Sequence, residues 1–250
     1  MTSLLAALFL AHVLADYVFQ SAWMVEEKAK SETLFLHFLI VLGTAMVTTG
    51  QLADPWIYLL ALTHVIIDSI KAKVAEDGIT AYAVDQAAHL ATIGAIALLA
   101  PDLYVTGLWA SAPTWVAHAM LLVAGLIYTT RAGGFAVGKL MQRFGDSPFA
   151  PSSSDTDDRH GASLPNGGFW IGVLERGLIF LLLIGHMPAG IGFLVAAKSV
   201  LRFEATQDAK KAEWVIIGTL ASFGWAIAIT IGVIALRDTL PPLEIMRPTP

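Results

Sequence analysis

The sequence predicts an all-α protein, a polytopic membrane helical bundle of about eight transmembrane helices, and three observations carry that expectation. Of its 250 residues 56% are hydrophobic and only 14% are charged, against roughly 25% charged in ordinary soluble domains. The mean hydropathy is +0.68. The apolar residues are gathered into several separate runs of about 20, the length that crosses a hydrocarbon core at about 1.5 Å per residue. A soluble core of this chain length has no place for so many such runs, whereas lipid has. The net charge of −5 is spread along the chain instead of forming a basic face, which gives no case for a nucleic-acid partner. Cysteine is absent, so disulfides, thiolate metal sites and cysteine nucleophiles are excluded, and His and carboxylates remain as ligands or catalysts.

In chain order the runs place spans near residues 3–22, 33–50, 55–72, 81–100, 114–131, 169–186, 189–203 and 213–236. The first is read as retained and not as a cleaved leader, because Met1-Thr2-Ser3 is uncharged and the apolar stretch runs on into His12 and Asp16. The seventh is short and follows the sixth through His186-Met187-Pro188-Ala189-Gly190, a tight reversal by its Pro and Gly. Tryptophans 56, 109, 115, 170 and 214 fall near span ends, where interfacial anchors belong.

Positive charge is retained on the cytoplasmic side of a span. Lys28, Lys30, Lys71, Lys73, Arg131, Lys139, Arg143, Arg159, Arg202, Lys210 and Lys211 fall on alternate connections, against Arg237 and Arg247 on the other side. The expected location is therefore the inner (cytoplasmic) membrane, with both termini outside. The expected organisation is residues 1–131 as helices one to five, 132–168 as a cytoplasmic loop and 169–250 as helices six to eight. The loop holds Ser152 to Asp158 flanked by Pro148, Pro151 and Pro165, the composition of a solvated linker.

Shifting the chain by 52 positions lays His12 on His64, Asp16 on Asp68 and His37 on His89, and Leu8, Leu10 and Val13 on Leu60, Leu62 and Val65. This reads as a duplicated helical hairpin, residues 1–52 and 53–104, with both copies pointing the same way.

The ionisable matches lie inside the spans. His12, Asp16 and Gln20 occur at i, i+4 and i+8, so one regular helix would align them on one face. His64, Asp68 and Lys71 make the corresponding stripe, the fourth span offers Asp85 and His89, and the second His37. By helical rise the carboxylates and His37 sit roughly 6 to 9 Å inside the cytoplasmic end, and the other three His roughly 12 to 15 Å inside. Carboxylates at that depth must be paired, protonated or metal-bound. His12, Asp16, His37, His64, Asp68 and His89 are the expected ligands of one or two divalent ions, with zinc, manganese or iron suited to such N and O donors. The alternative is that these groups pair with one another and fix helix packing.

In the carboxyl half, Glu175 and Arg176 lie in the sixth span and Lys198 and Arg202, one turn apart, in or beside the seventh. Lys198 and Arg202 are placed to hold an anionic phosphate, or to snorkel to the interface with Glu175 neutralising one of them.

The motifs His12-x3-Asp16-x3-Gln20, His64-x3-Asp68-x2-Lys71, Asp85-Gln86-x2-His89, Ala196-Ala197-Lys198-Ser199-Val200-Leu201-Arg202-Phe203, Ala212-Glu213 and Gly218-Thr219-Leu220 together resemble the bacterial integral membrane proteins grouped as domain-of-unknown-function family 3307. The resemblance covers the first 90 residues and roughly 170–225, and it implies the fold without implying a reaction. A looser likeness, with a different order of motifs, is to membrane-bound metal-dependent hydrolases that carry His and Asp in their helices. The expected function is a metal-dependent hydrolase acting on a lipid or phosphate-containing substrate, with Asp85 and Glu175 in catalytic acid–base roles. Gln20, Lys71, Arg176, Lys198 and Arg202 would bind the substrate, and membrane lipids are the expected partners. The alternatives are a proton- or cation-coupled transporter or channel, and a non-catalytic membrane subunit. No Walker loop, HExxH or GxSxG is present.

Overall fold

A computed structural model describes residues 1–28, 30–74, 78–145, 167–201 and 209–243 of the chain. Among them every regular element is helical, as the composition predicts: α1 (Thr2–Leu14), α2 (Ala22–Glu26), α3 (Ser31–Thr49), α4 (Pro55–Val74), α5 (Ile79–Leu99), α6 (Trp115–Ile127), α7 (Gly133–Met141), α8 (Gly167–Ile184), α9 (Ala189–Leu201) and α10 (Ala209–Arg237). Arg159, Arg202, Arg247, the Ser152–Asp158 run and Pro148, Pro151 and Pro165 lie outside the described residues.

Among the described residues six segments are long and apolar enough to cross a membrane: Thr2–Phe19, Ser31–Thr49, Ile79–Leu99, Trp115–Phe144, Gly167–Ile184 and Ala209–Arg237. The expected third span is the 20-residue helix α4, whose last turns carry Asp68, Lys71 and Lys73 and which falls outside that set. The expected seventh is the shorter apolar helix α9.

Two boundaries depart from the sequence reading. The first helix closes with a π-helical turn, Ala15–Phe19, and Gln20 follows in an extended conformation. The expected span to residue 22, with Gln20 one turn below Asp16, is thereby corrected: a π turn changes the register, and the helix ends before Gln20. The expected span 114–131 runs on through a second π turn, Tyr128–Ala132, into α7, so the loop placed at 132–168 begins inside helix. Gly133 and Gly134 do not stop it, since isolated helical glycines only weaken a helix.

The chain divides into two compact units, Met1–Tyr128 with Gly232–Pro250, and Thr129–Ile231. In the first, α1 packs against α3, α5 and α6, α3 against α4, and α4 against α5. Its helix is interior because it is built of small residues: Ala6, Ala7, Ala11 and Ala15 are 1% exposed or less and let neighbouring backbones approach closely. The inward stripe of α3 is Thr33, His37, Val41 and Ala45, at four-residue intervals. That of α5 runs Tyr82, Asp85, Gln86, His89, Ile93. Large aliphatic residues such as Leu39, Val47, Leu62, Ile66 and Leu98 cover the outward faces, the reverse of a soluble helix and the surface lipid accepts.

One end of the first unit is closed by a fold of the 100–114 connection over the end of α3. Gly50 caps α3 at φ +71°, its carbonyl accepts from Leu108 N at 3.0 Å, and a Cβ on Gly50 would lie 2.7 Å from that nitrogen. Trp109 Nε1 donates to Val47 O at 2.9 Å and Gln51 Nε2 to Leu103 O at 2.6 Å. The carboxyl segment joins this unit through Thr2 Oγ1 on Thr239 O at 3.2 Å and His118 Nε2 on Pro241 O at 2.9 Å.

The second unit has a core of Ile179, Phe223 and Ala226, with Leu183, Ile191, Leu194 and Ile227 against it. The reversal expected at 186–190 is present: His186 adopts φ 57° and Met187 N bonds back to Leu182 O at 2.7 Å, satisfying a terminal carbonyl of α8.

Candidate metal centre

The inward stripes of the first unit deliver their polar residues to one place. His12 comes from the last turn of α1 and Asp16 from the π turn after it, His37 from α3, His64 and Asp68 from α4, and Asp85 and His89 from α5. Six of these side chains belong to residues 5% exposed or less, and Asp16 is 10% exposed at its side chain. All seven residues expected to converge do so.

His64 is the hub. Its Nε2 lies 3.0 Å from Asp16 Oδ1, 3.1 Å from His37 Nε2 and 3.9 Å from Asp68 Oδ2. His37 Nε2 is 3.1 Å from Asp68 Oδ2 and 3.4 Å from Asp16 Oδ1. His12 Nδ1 stands 3.7 Å from Asp16 Oδ2, and His89 Nε2 stands 4.0 Å from Asp68 Oδ1. The rings of His64 and His89 have centroids 4.1 Å apart, and those of His12 and His89 stack at 5.1 Å.

Two hydrogen-bond chains fix which ring nitrogen carries the proton. His89 Nδ1 is 2.9 Å from the Asp85 carbonyl oxygen, which can only accept, so Nδ1 donates and Nε2 keeps its lone pair. Gln86 Nε2 donates to Asp85 Oδ2 at 3.2 Å; Gln86 Oε1 then accepts from His12 Nε2 at 3.3 Å and from Tyr128 Oη at 3.3 Å. His12 therefore keeps its lone pair on Nδ1. These freed atoms, His12 Nδ1 and His89 Nε2, are buried with no hydrogen-bond partner among the described residues, as is Asp85 Oδ1, whereas the Asp16 and Asp68 oxygens are met by His64, His37 and Lys28 at 2.8 to 3.1 Å. The 3.4 Å from His37 Nε2 to Asp16 Oδ1 and the 3.7 Å from His12 Nδ1 to Asp16 Oδ2 are close to ligand-to-ligand spacing, since bonds of about 2.0 to 2.2 Å in a tetrahedral site put donor atoms about 3.3 to 3.6 Å apart. Three sets have all their ligand atoms within 4.8 Å of one another: His12, Asp16 and His64; His37, His64 and Asp68; and Asp68, Asp85 and His89.

Two lysines neutralise part of the cluster. Lys28 Nζ lies 2.8 Å from Asp68 Oδ1, and Lys71 Nζ donates to Asp85 Oδ2 at 2.9 Å. Burial disfavours the Lys28 ammonium, but Asp68, reinforced by Asp16 and Asp85, outweighs it and holds its pKa above the ordinary lysine value. Three carboxylates against these two ammoniums leave one negative charge when the imidazoles are neutral, a cost in a buried site that a cation relieves. Lys71, expected to meet a substrate anion, is thus the counter-ion of Asp85. Gln20 is half-buried beyond the end of the first helix.

The sequence reading missed the supporting groups. Lys28 counted there only toward orientation; it sits in the turn after α2, where no periodicity aims a side chain. Gln86 was visible as a polar residue beside Asp85 on a buried stripe. The tyrosine layer also went unread: Tyr17 Oη and Tyr82 Oη are 2.7 Å apart, and the Tyr17 and Tyr128 rings meet edge to face at 5.9 Å.

Glu175, Arg176 and Lys198 belong to the second unit and gather round a cavity of their own, of about 180 Å³. Lys198 Nζ donates to Glu175 Oε2 at 2.6 Å, so the expected acid–base residue is an ion-pair partner. Arg176 is 3% exposed, with Nε donating to Thr130 O and Nη1 to Ser222 Oγ, both at 3.0 Å.

Residues 4–123 match the model of a family described as a protein of unknown function (DUF3307), a stretch that contains every ligand-type residue of the cluster; the likeness expected at roughly 170–225 falls outside it. Neither the curated proteins nor the solved structures include a match to the chain. Residues 4–123, within the first unit, are thus similar to the DUF3307 family.

Proposed function

We propose that the chain is an inner-membrane protein whose first unit holds a divalent transition metal, in the cytoplasmic half of the bilayer and with both termini outside, and uses it to hydrolyse a lipid or phosphate-containing substrate. The observation that carries this reading is the buried cluster of ligand-type atoms from His12, Asp16, His37, His64, Asp68, Asp85 and His89 that face one another, with the lone pairs of His12 Nδ1, His89 Nε2 and Asp85 Oδ1 answered by no hydrogen bond among the described residues. Imidazole and carboxylate donors suit zinc, manganese or iron. The Asp85 carbonyl and Gln86 act as the orienting partners that metal-binding imidazoles usually have. A divalent ion in such a site supplies a water of lowered pKa and polarises a phosphoryl or carbonyl oxygen. A cavity of about 10 Å³ beside His12, His64 and His89 has room for one water.

The test is elemental analysis of detergent-purified full chain beside a His12→Ala/His64→Ala variant, followed by hydrolysis assays on phosphate esters and phospholipids. A bound zinc, manganese or iron in the parent, lost in the variant together with turnover, supports the reading. A parent that binds no ion, and whose melting temperature does not move with added zinc or manganese, overturns it. The overlap of the ligand sets through His64 and Asp68 also favours a second reading, in which a cation passes between adjacent sites; sealed proteoliposomes would then show cation flux without turnover.

A further inference from the structure

The cavity of the second unit is left unused by a metal centre and is large enough for several waters' volume. Its polar lining is Arg176, Lys198, Glu175, Thr219 and Ser222, with Trp214 as an apolar wall. The guanidinium is fixed in orientation by Thr130 O and Ser222 Oγ, which take two of the five N–H bonds an arginine carries. The remaining N–H bonds have no partner among the described residues. Glycines surround it: a Cβ on Gly172 would lie 2.9 Å from Nη1, one on Gly134 3.2 Å from Nη2, and one on Gly133 2.9 Å from Cδ. Helical glycines cost stability relative to alanine, and here their missing side chains leave space for the arginine head. Ser222 Oγ accepts from Arg176, so its own hydroxyl hydrogen is directed elsewhere. Lys198 Nζ is held by Glu175 and lies 5.3 Å from the Phe223 ring centroid. Among the described lining residues, two cations stand against one carboxylate.

We propose that this cavity binds a phosphate group, with Arg176 as the planar fork, Lys198 as the point charge and Ser222 as a hydroxyl donor. A guanidinium matches the oxygens of a phosphate two at a time, which an ammonium alone cannot do. Glu175 competes with the ligand for Lys198. The same chemistry fits free phosphate and a phospholipid headgroup, and the site stands whether or not the first unit holds metal.

The full chain, purified in neutral detergent without phosphate buffer, is titrated calorimetrically with inorganic phosphate. It is then titrated with dioleoylphosphatidic acid in mixed micelles, with dioleoylphosphatidylcholine as the control. Saturable binding of inorganic phosphate, displaceable by phosphatidic acid, supports the site and assigns free phosphate as sufficient; binding of phosphatidic acid alone supports it and assigns the headgroup. Arg176→Lys weakens either ligand at least tenfold. Glu175→Gln removes the carboxylate that competes with the ligand and tightens binding several-fold, an increase that a purely structural ion pair does not give. Binding of neither probe by the parent, or a Glu175→Gln variant that folds and binds no more tightly, overturns the proposal. Metal content measured on the same samples separates this outcome from failure of the metal reading.

Discussion

The two units handle buried charge in opposite ways. In the first, seven His and Asp side chains crowd closely beside a cavity of only about 10 Å³. In the second, three ionisable side chains stand around about 180 Å³. The first has donor atoms facing one another with lone pairs unanswered; the second has an arginine whose orientation is set and whose remaining N–H bonds have no partner among the described residues. Crowded lone pairs suit a bare ion, which needs no volume beyond its ligands. A preorganised fork beside a cavity suits a polyatomic anion.

The sharpest way to break this contrast is to remove its carboxylates. Asp16→Asn with Asp68→Asn takes one ligand from each of the three ligand sets and should lower divalent-metal affinity by at least 1,000-fold, about 4 kcal/mol, read by titration of zinc or manganese into metal-stripped protein. Undiminished binding would place the ion elsewhere. Next in size is Lys28→Met, which leaves Asp68, 1% exposed, without its ammonium. Removing one partner of a buried pair costs about 3 to 5 kcal/mol, so the melting temperature of the metal-free variant should fall. Added divalent ion should restore it by supplying the lost positive charge. A fall that the ion does not reverse would mean that Lys28 serves packing alone. In the second unit, Gly172→Ala puts a methyl group 2.9 Å from Arg176 Nη1; phosphate affinity should drop about tenfold, or about 1.4 kcal/mol, with metal content unchanged.

What the sequence disclosed follows the same division. The cluster in the first unit was legible because His and Asp at four-residue spacing inside apolar runs have one economical explanation, a common inward face, and the same spacing in several runs makes those faces meet. Gln20 was misplaced for a local reason: the spacing argument assumes 3.6 residues per turn, and the π turn at Ala15–Phe19, which residue type does not announce, breaks it. Lys28 and Lys71 could not be paired with Asp68 and Asp85 from sequence, since the ends of long flexible side chains are set by tertiary neighbours. The extension of α6 into α7 lies where the hydropathy of the fifth span gives way to Gly133 and Gly134, which only weaken a helix. Their purpose becomes visible only with Arg176 in place, because a Cβ on either would press on that side chain.

The smallest effect tests how far the ion site extends. Tyr17 and Tyr82 share a hydrogen bond of 2.7 Å on segments that also carry Asp16 and Asp85. If the tyrosines only brace the helices, Tyr17→Phe costs about 1 kcal/mol, the net worth of one buried hydrogen bond. Tyr82→Phe costs a similar amount. The double variant then costs less than the sum, because both changes remove the same bond. Melting curves of the three variants close the cycle, and metal affinity should be the same in all. A Tyr17→Phe protein that melts normally but binds metal tenfold more weakly would enlarge the ion site to include its tyrosine layer, and the first unit would then resemble the second in using neutral hydroxyls to hold its ligand.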